Sequence, residues 1–481
     1  MPPNKGTLTT MDTQQEMNKM ETSLATMKRA FASSPMPSLN TRIGMLKNLK
    51  TALIEYTGKI SSAMSDDYGK RSEIDTLIAD IAPCIANINH TVGHLHEWME
   101  PSKRDSGPLL STSSVEVIYQ PLGVVGIVVP WNFPVMLSIG PLISAIAAGN
   151  RAMLKMSEFT PHTNKVLGEM LQSVFDEAYV NVFGGEAEVS AAFTALSFDH
   201  ILFTGSTTVG RHVMRAAAAN LTPVTLELGG KSPVIVADDV SMEMAVERII
   251  YGKSLNNGQV CVAPDYVFLP EGRVESFIAE YKKQYGDLFP DGVDSENLTS
   301  MANTRQFNRI EGLLNGETEK QTRIEPCHGN SRDNAKNRLV THMIVDPAKD
   351  SEVMTEEIFG PLLPLIPYGD VQEAMAYIQG NPRPLALYLM TFDEDLQQQV
   401  KTTVHSGGMC INDSVFHLAV DDAPFGGVGE SGMGNYHGFE GFLTLSHSKT
   451  VMTSGTKHNI KHLFAKDDNA FKKAVLEAML R

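Results

Sequence analysis

Cysteine is scarce and scattered: four residues among 481, at Cys84, Cys261, Cys327 and Cys410. None lies at metal-ligand spacing from another, so no metal site is expected. Four in a chain of this length do not make a disulfide framework, and a reducing cytoplasm is the natural compartment. Long apolar runs are also missing. The longest, Leu122 to Trp131, is too short for a bilayer, which takes ~20 residues. Met1 to Met20 is polar, so no secretory signal is expected, and there is no apolar C-terminal tail. Basic residues are in deficit. Forty Lys and Arg against 56 Asp and Glu leave a formal net charge of −16. That balance argues against nucleic acid or an anionic membrane as partner and reads as a solvated acidic surface.

What is present is ordinary for a soluble globular chain: 42% hydrophobic and 20% charged residues. The length predicts two or three domains. Residues 10 to 100 read as helical, with apolar residues at helical spacing through Met45, Leu46, Leu49, Leu53 and Ile54. From Tyr119 the texture changes. Val124 to Val129 is a β-branched run suited to a buried strand, and Pro134 to Gly149 reads as an apolar helix stopped by glycine. Strands at Arg151–Met156, Tyr179–Phe183 and His200–Thr204 then alternate with helices at Thr160–Phe175, Glu186–Leu196 and Thr208–Ala219. Thr160 is the expected N-cap, with Pro161 at the first helical position. The alternation predicts an α/β fold with a mostly parallel, doubly wound sheet. A second alternating block runs from Ser232 to about Asp413, with strands around Val234–Val236, Tyr266–Phe268, Pro364–Ile366 and Met409–Ile411. The domain switch is placed near Gly229-Gly230, and residues 290 to 340 are expected to be surface helix and loop.

Phe203-Thr-Gly-Ser206 follows a strand and leads into a helix with Gly210 in its first turn. Free N–H groups at a helix N-terminus can hold a pyrophosphate. The segment is neither GxGxxG nor a phosphate loop, and a purely structural strand–turn–helix would look the same. Lys155-Met-Ser-Glu158 ends a strand, where doubly wound folds bind nucleotides. Its lysine and carboxylate are candidates to grip ribose hydroxyls, and Glu158 would repel a 2′-phosphate. A solvated strand end is the plainer alternative. Cys261 follows the helix Met242–Ser254 and the polar loop Asn256-Asn-Gly-Gln259, which makes it the candidate nucleophile. Cys84 and Cys410 sit in apolar surroundings and Cys327 in a polar loop. Glu227 lies on an apolar strand pattern, where burial raises a carboxyl pKa and suits a general base. Asn132, between Trp131 and Phe133, is a candidate oxyanion donor. The polar face of a strand and a turn asparagine are the competing readings of these two.

Taken in order, Pro130-Trp-Asn-Phe-Pro134, Lys155-Met-Ser-Glu158, Phe203-Thr-Gly-Ser206, Leu226-Glu-Leu-Gly-Gly-Lys-Ser232, Gly258-Gln-Val-Cys261, Glu356-Glu-Ile-Phe-Gly-Pro361 and Pro424-Phe-Gly-Gly427 resemble the aldehyde dehydrogenase superfamily over residues 40 to 455. Asn412–His417 and Ser431–Gly438 look like the short, class-3-type enzymes. Gln120–Gly126 and Cys261–Tyr266 are most similar to the coniferyl-aldehyde-dehydrogenase-like members. Met156 departs from the family, which usually has proline there. The resemblance implies NAD(P)-dependent oxidation of an aldehyde, aromatic and cinnamyl-type or medium-to-long aliphatic, to the acid. Cys261 would form a thiohemiacetal and then a thioester, with Asn132 and the Cys261 N–H on the oxyanion and Glu227 activating water. NAD is the expected cofactor, with NADP as the other candidate. Glu357 would hold the nicotinamide ribose with Phe359 nearby, Lys155 and Glu158 the adenosine ribose, and Ser206 the pyrophosphate. Trp131, Ser157, Gly205, Gly210 and Leu228 are assigned to the same cofactor site, and Phe133, Met136, Phe416 and His417 to the substrate pocket. The implied fold has a Rossmann-like cofactor domain (1–104 and 122–228), a catalytic domain (229–421), and bridging and tail elements (105–121 and 422–481), with a homodimer or dimer of dimers expected. A CoA-acylating dehydrogenase and a thiol esterase on this fold are the rival readings.

Overall fold

A computed structural model of the chain describes residues 10–107, 110–456 and 469–480. The β-branched run Val124–Val128 forms a fully buried strand inside a six-stranded sheet. Such runs suit parallel strands covered on both faces. The order across this sheet is Gly432–Met433, Val224–Glu227, His200–Thr204, Val124–Val128, Arg151–Lys155 and Val180–Phe183. Only the pairing of Gly432–Met433 with Val224–Glu227 is antiparallel. The helix Met136–Ala148 is buried almost throughout and ends where Gly149 takes a left-handed conformation.

A second sheet of seven strands runs Arg323–Pro326, His342–Val345, Leu362–Tyr368, Pro264–Pro270, Ser232–Val236, Ala386–Met390 and Gly408–Ile411. It is parallel apart from Arg323–Pro326. A third, antiparallel sheet joins Ser102–Arg104, Ser113–Pro121 and Ser446–Ser454. The first two sheets change over between Glu227 and Ser232, at the glycine pair.

Several expectations need correction. The third sheet begins at Ser102, before the expected boundary at residue 105. Gly432–Met433 leaves the bridging segment to pair with the strand that carries Glu227. The region 290 to 340 is not all surface. It holds the helix Thr304–Glu319, with Phe307, Ile310 and Leu313 buried, and the edge strand Arg323–Pro326. Cys327 is therefore buried, its N–H donating to Thr341. The strands His342–Val345 and Ala386–Met390 had no distinct signature, because a short apolar run does not by itself separate strand from helix.

The cap of the helix Pro161–Val174 also differs. Thr160 sits at the N-cap position, but its side chain makes no capping bond. Asp67, at the end of the helix Leu39–Tyr68, supplies the acceptors instead. Its carboxylate takes the N–H of His162 at 2.9 Å, the N–H of Thr163 at 2.8 Å and the Thr163 hydroxyl at 2.6 Å. A long-range carboxylate has replaced a local hydroxyl as the cap. Asp67→Ala should cost about 1 kcal/mol of stability and lower the thermal unfolding midpoint while turnover stays at the wild-type level. An unchanged midpoint would show that the helix holds without this cap.

Candidate active site

Cys261 is reached through a turn that few residue types could make. Asn256, Asn257 and Gly258 have φ of 48°, 53° and 76°, three successive left-handed residues. Asparagine and glycine tolerate that region best. A Cβ at Gly258 would lie 2.5 Å from the carbonyl oxygen of Gly360, so the cysteine loop packs directly on the loop that carries Glu357 and Phe359. Phe359 is itself left-handed, with φ 48°, and its ring meets Trp131 edge-on at 5.3 Å.

Gln259 locks the turn. Its amide donates to the carbonyls of Asn256 (2.9 Å) and Ser300 (3.1 Å) and accepts from the N–H of Ala302 (2.9 Å). The Asn132 amide donates to the Gln259 carbonyl at 3.2 Å, which brings the proposed oxyanion donor to the cysteine loop. The backbone of Asn132 is held as firmly. Its carbonyl accepts from Arg71 (2.8 Å), Tyr68 (3.1 Å) and the Asn256 side chain (3.1 Å).

Cys261 alone among the four cysteines keeps part of its surface open. It lies where two cavities meet. One, of about 520 Å³, is a cleft of mixed lining that carries the polar and charged groups Asn132, Ser206, Glu227 and Glu357 beside Trp131 and Phe359. The other, of about 110 Å³, is apolar, with Phe133, Met136, Phe416, Phe425, Tyr436 and His437 in its wall. Asn132 and Phe133 are neighbours in sequence, yet they face different cavities.

The electrostatics of the cleft favour neutral groups. Burial, then Glu357 and Glu227, push the Cys261 thiol up to about 12, against the pull of the N–H groups of Cys261 and Val262. Burial raises Glu227 well above the usual carboxylate range, and neither carboxylate oxygen has a protein partner. Burial also raises Glu357 to about 7, opposed by a backbone hydrogen bond from Gly230. Burial therefore favours the neutral form of both thiol and base. The charged groups acting on the sulfur are the carboxylates Glu357 and Glu227, which hold its proton on.

A match to the aldehyde dehydrogenase family model extends over residues 2–451. A probable coniferyl aldehyde dehydrogenase of Pseudomonas aeruginosa is 46% identical over 468 residues, 97% of this chain and 98% of its own. The chain belongs to the aldehyde dehydrogenase family. It is an oxidoreductase that acts on an aldehyde with a nicotinamide dinucleotide as electron acceptor. The substrate-bound structure of Staphylococcus aureus AldH is similar at TM-score 0.90 and 34% identity, covering 96% of this chain and 99% of that one. A Mycobacterium tuberculosis aldehyde dehydrogenase complexed with NAD+ is similar at TM-score 0.81 and 26% identity, each chain being 90% covered.

The larger cleft of this dehydrogenase fits such a cofactor. Glu357 Oε1 is buried without a protein partner, and a side chain at Gly229 would collide with the same carboxylate. Ser206 caps the helix Thr207–Ala218, so that helix N-terminus opens on the cleft. Trp131, Gly205, Leu228 and Phe359, expected at the cofactor site, line the cleft.

Four other expected cofactor residues do not line it. Gly210 serves helix packing, since a Cβ there would lie 2.6 Å from Leu228. The Ser157 hydroxyl accepts the N–H of Phe159, closing a local turn. The Lys155 ammonium donates to the carbonyls of Met156 (2.8 Å) and Gly185 (2.7 Å), leaving one of its three donors. Glu158 lies beside it, half-buried, and acts on Lys155 electrostatically. Of the residues expected in a substrate pocket, Phe133, Met136 and Phe416 line the apolar cavity, but His417 does not. The turn Phe416–Ala419 lays Phe416 flat on Tyr251, with ring centroids 5.0 Å apart, and sends His417 inward to Cys410, at 3.2 Å.

Sequence reasoning missed Arg305, Gln306 and Arg309 on the cleft wall and Tyr251, Phe425, Tyr436 and His437 on the pocket wall. Arg305 and Arg309 stand four apart, on one face of the helix Thr304–Glu319, and that spacing was the available signal. Gly258→Ala should force the cysteine loop off Gly360. A displacement of about 1 Å at a reacting group costs ~10²-fold, so kcat should fall by that order with the circular dichroism spectrum retained. Wild-type kcat in this variant would show that the loop does not position Cys261.

Proposed function

We propose that this dehydrogenase oxidises a hydrophobic aldehyde, with aromatic and cinnamyl-type aldehydes favoured, to the carboxylic acid through Cys261. The observation that carries the reading is the thiol at the junction of the larger cleft and the apolar pocket. The aldehyde enters from the apolar side, between Phe133 and Phe425. The Cys261 thiolate attacks its carbonyl carbon, and the oxyanion is held by the Asn132 amide and the Cys261 N–H. When bound, the dinucleotide supplies the hydride acceptor that turns the thiohemiacetal into a thioester. Glu227 then takes a proton from water, which attacks the thioester, and the thiol is regenerated as the acid leaves. Several relatives named as coniferyl aldehyde dehydrogenases support the cinnamyl reading. A relative named 4,4′-diaponeurosporen-aldehyde dehydrogenase, 36% identical, supports a long apolar substrate as the second reading.

On this reading Glu357 holds the nicotinamide ribose beside Phe359, Ser206 the pyrophosphate, and Glu158 with the remaining Lys155 donor the adenosine ribose. NAD is the favoured form, because the Glu158 carboxylate repels a 2′-phosphate. The three sheets correspond to cofactor, catalytic and bridging domains. The outer strand Ser446–Ser454 is largely exposed, and an uncovered edge suits pairing with a second copy. A 35% identical rat relative is named as dimeric and NADP-preferring, which supports the dimer and makes cofactor preference a point to measure. Among the described residues no helix is long and apolar enough to cross a membrane, and a cytoplasmic location is expected.

NADH formation with cinnamaldehyde, coniferyl aldehyde and a series of alkanals tests the reading directly. Cys261→Ala should abolish it, and full turnover in that variant would remove the thiol from the chemistry. Glu227→Gln should keep a first burst of NADH and slow steady-state turnover by ~10²–10⁴-fold; steady turnover at the wild-type rate would free Glu227 of the base role. Because both thiol and base must lose protons that burial holds on, kcat/KM should rise from neutral to alkaline pH. A flat profile would contradict that. Acyl release that required CoA would point to the acylating rival.

Glu158→Ala should narrow the preference for NAD over NADP. An unchanged ratio of kcat/KM for the two cofactors would place discrimination elsewhere.

A further inference from the structure

Lys231 and Asp265 form an ion pair that no step of the chemistry uses. Each stands four residues beyond a reacting residue, Lys231 after Glu227 and Asp265 after Cys261. They meet because the strands Ser232–Val236 and Pro264–Pro270 run in parallel, with Ser232 opposite Pro264. The Asp265 side chain is 4% exposed and that of Lys231 16%. All three Lys231 ammonium protons are engaged, by the Asp265 carboxylate and by the carbonyls of Val353 and Glu356, both at 2.9 Å. The ammonium also lies over the Tyr266 ring, 5.5 Å from its centroid.

What the pair holds is the loop that carries Glu357. The second carboxylate oxygen of Asp265 accepts the Ile358 N–H at 2.9 Å. Arg309 donates to the carbonyls of Glu357 and Ile358. The backbone groups around Glu357 are thus taken by three charged side chains, and hydrogen bonds with a charged partner are the stronger kind. The Glu357 side chain itself is barely fastened. Its carboxylate meets the Gly230 N–H, one residue before Lys231, and Oε1 has no protein partner. Where that carboxylate sits is therefore decided by the loop backbone. The cysteine loop, by contrast, has its own lock in Gln259.

We infer that Lys231 and Asp265 are positioning residues for the oxidation step: their ion pair fixes the loop 356–359 and so places the Glu357 carboxylate against the nicotinamide ribose of the bound dinucleotide. This inference rests on the reading of Glu357 as the ribose ligand. Neither Lys231 nor Asp265 lines the cleft or the apolar pocket, so their effect passes through Glu357. A binding group has to be held within about 0.5 Å of its productive position by the residues behind it. Both partners also act on the charge of the Glu357 carboxyl. Behind the larger effect of burial, Asp265 raises its pKa and Lys231 lowers it.

The test reads two activities of the full-length enzyme. Aldehyde oxidation with NAD needs Glu357 in place. Hydrolysis of p-nitrophenyl acetate does not: the Cys261 thiol takes the acetyl group, p-nitrophenolate leaves, and water releases acetate without a dinucleotide. Asp265→Ala should raise the KM for NAD and lower kcat/KM for NAD by about 10²-fold, the cost of a displacement of ~1 Å, while ester hydrolysis stays at the wild-type rate. Lys231→Met should show the same split. Asp265→Asn, which keeps an acceptor for the Ile358 N–H, should recover part of the loss, and it decides the matter alone if the other two variants do not fold. An unchanged kcat/KM for NAD, or an equal fall in both activities, would overturn the inference and leave the pair a packing feature. Failure of the underlying reading looks different: Glu357→Gln itself would leave kcat/KM for NAD unmoved.

Discussion

The site hangs on one buried ion pair. Arg71 and Asp80 meet at 2.8 Å with both side chains fully buried. Asp80 lies in a short π-helical turn, Leu77–Ile81, and its other carboxylate oxygen accepts the N–H groups of Val135 and Met136 at 3.1 Å. It thereby caps the apolar helix Met136–Ala148, which has no local cap. Arg71 reaches the opposite way, to the Asn132 carbonyl and the Asn256 side chain. Its guanidinium also lies over the rings of Tyr68 and Phe133. One pair thus joins the helical N-terminal region, the Trp131–Phe133 turn and the cysteine loop. Removing one partner of such a pair strands a buried charge and costs about 3–5 kcal/mol.

From that anchor follows the division of labour around Cys261. The strand end after Val128 carries Asn132 to the polar side and Phe133 to the apolar side. The cysteine loop and the Glu357 loop, packed backbone to backbone at Gly258 and Gly360, close the junction from the other sheet. Left-handed backbone at Asn256, Asn257 and Phe359 is stored strain of ~1–3 kcal/mol per residue, the sort found where function demands a fixed geometry. The same closure desolvates the thiol and both carboxylates, which is why their pKa values rise together.

Much of this was legible beforehand where the signal is local. The helix Met242–Ser254 and the strand His200–Thr204 stand where the periodicity put them, and Cys261, Glu227 and Asn132 do line one cleft. Legibility failed where a side chain's direction depends on distant partners. Asp67 displaced Thr160 as a cap across some ninety-five residues of chain. Gly210 looked like a ligand contact and proved to be room for Leu228. His417 and His437 lie in similar polar-aromatic surroundings in the chain, yet only the second faces the pocket.

The sequence by itself determined the alternation of strand and helix, the family, and the candidates for the reacting residues. Those depend on period, residue chemistry and motif order, which are written along the chain. Only the tertiary structure decided that two cavities of different lining meet at one sulfur, that burial raises the pKa of both carboxylates beside it, and which histidine lines the apolar pocket. These depend on solvent exclusion and on packing between segments far apart in the chain, and no local pattern encodes either.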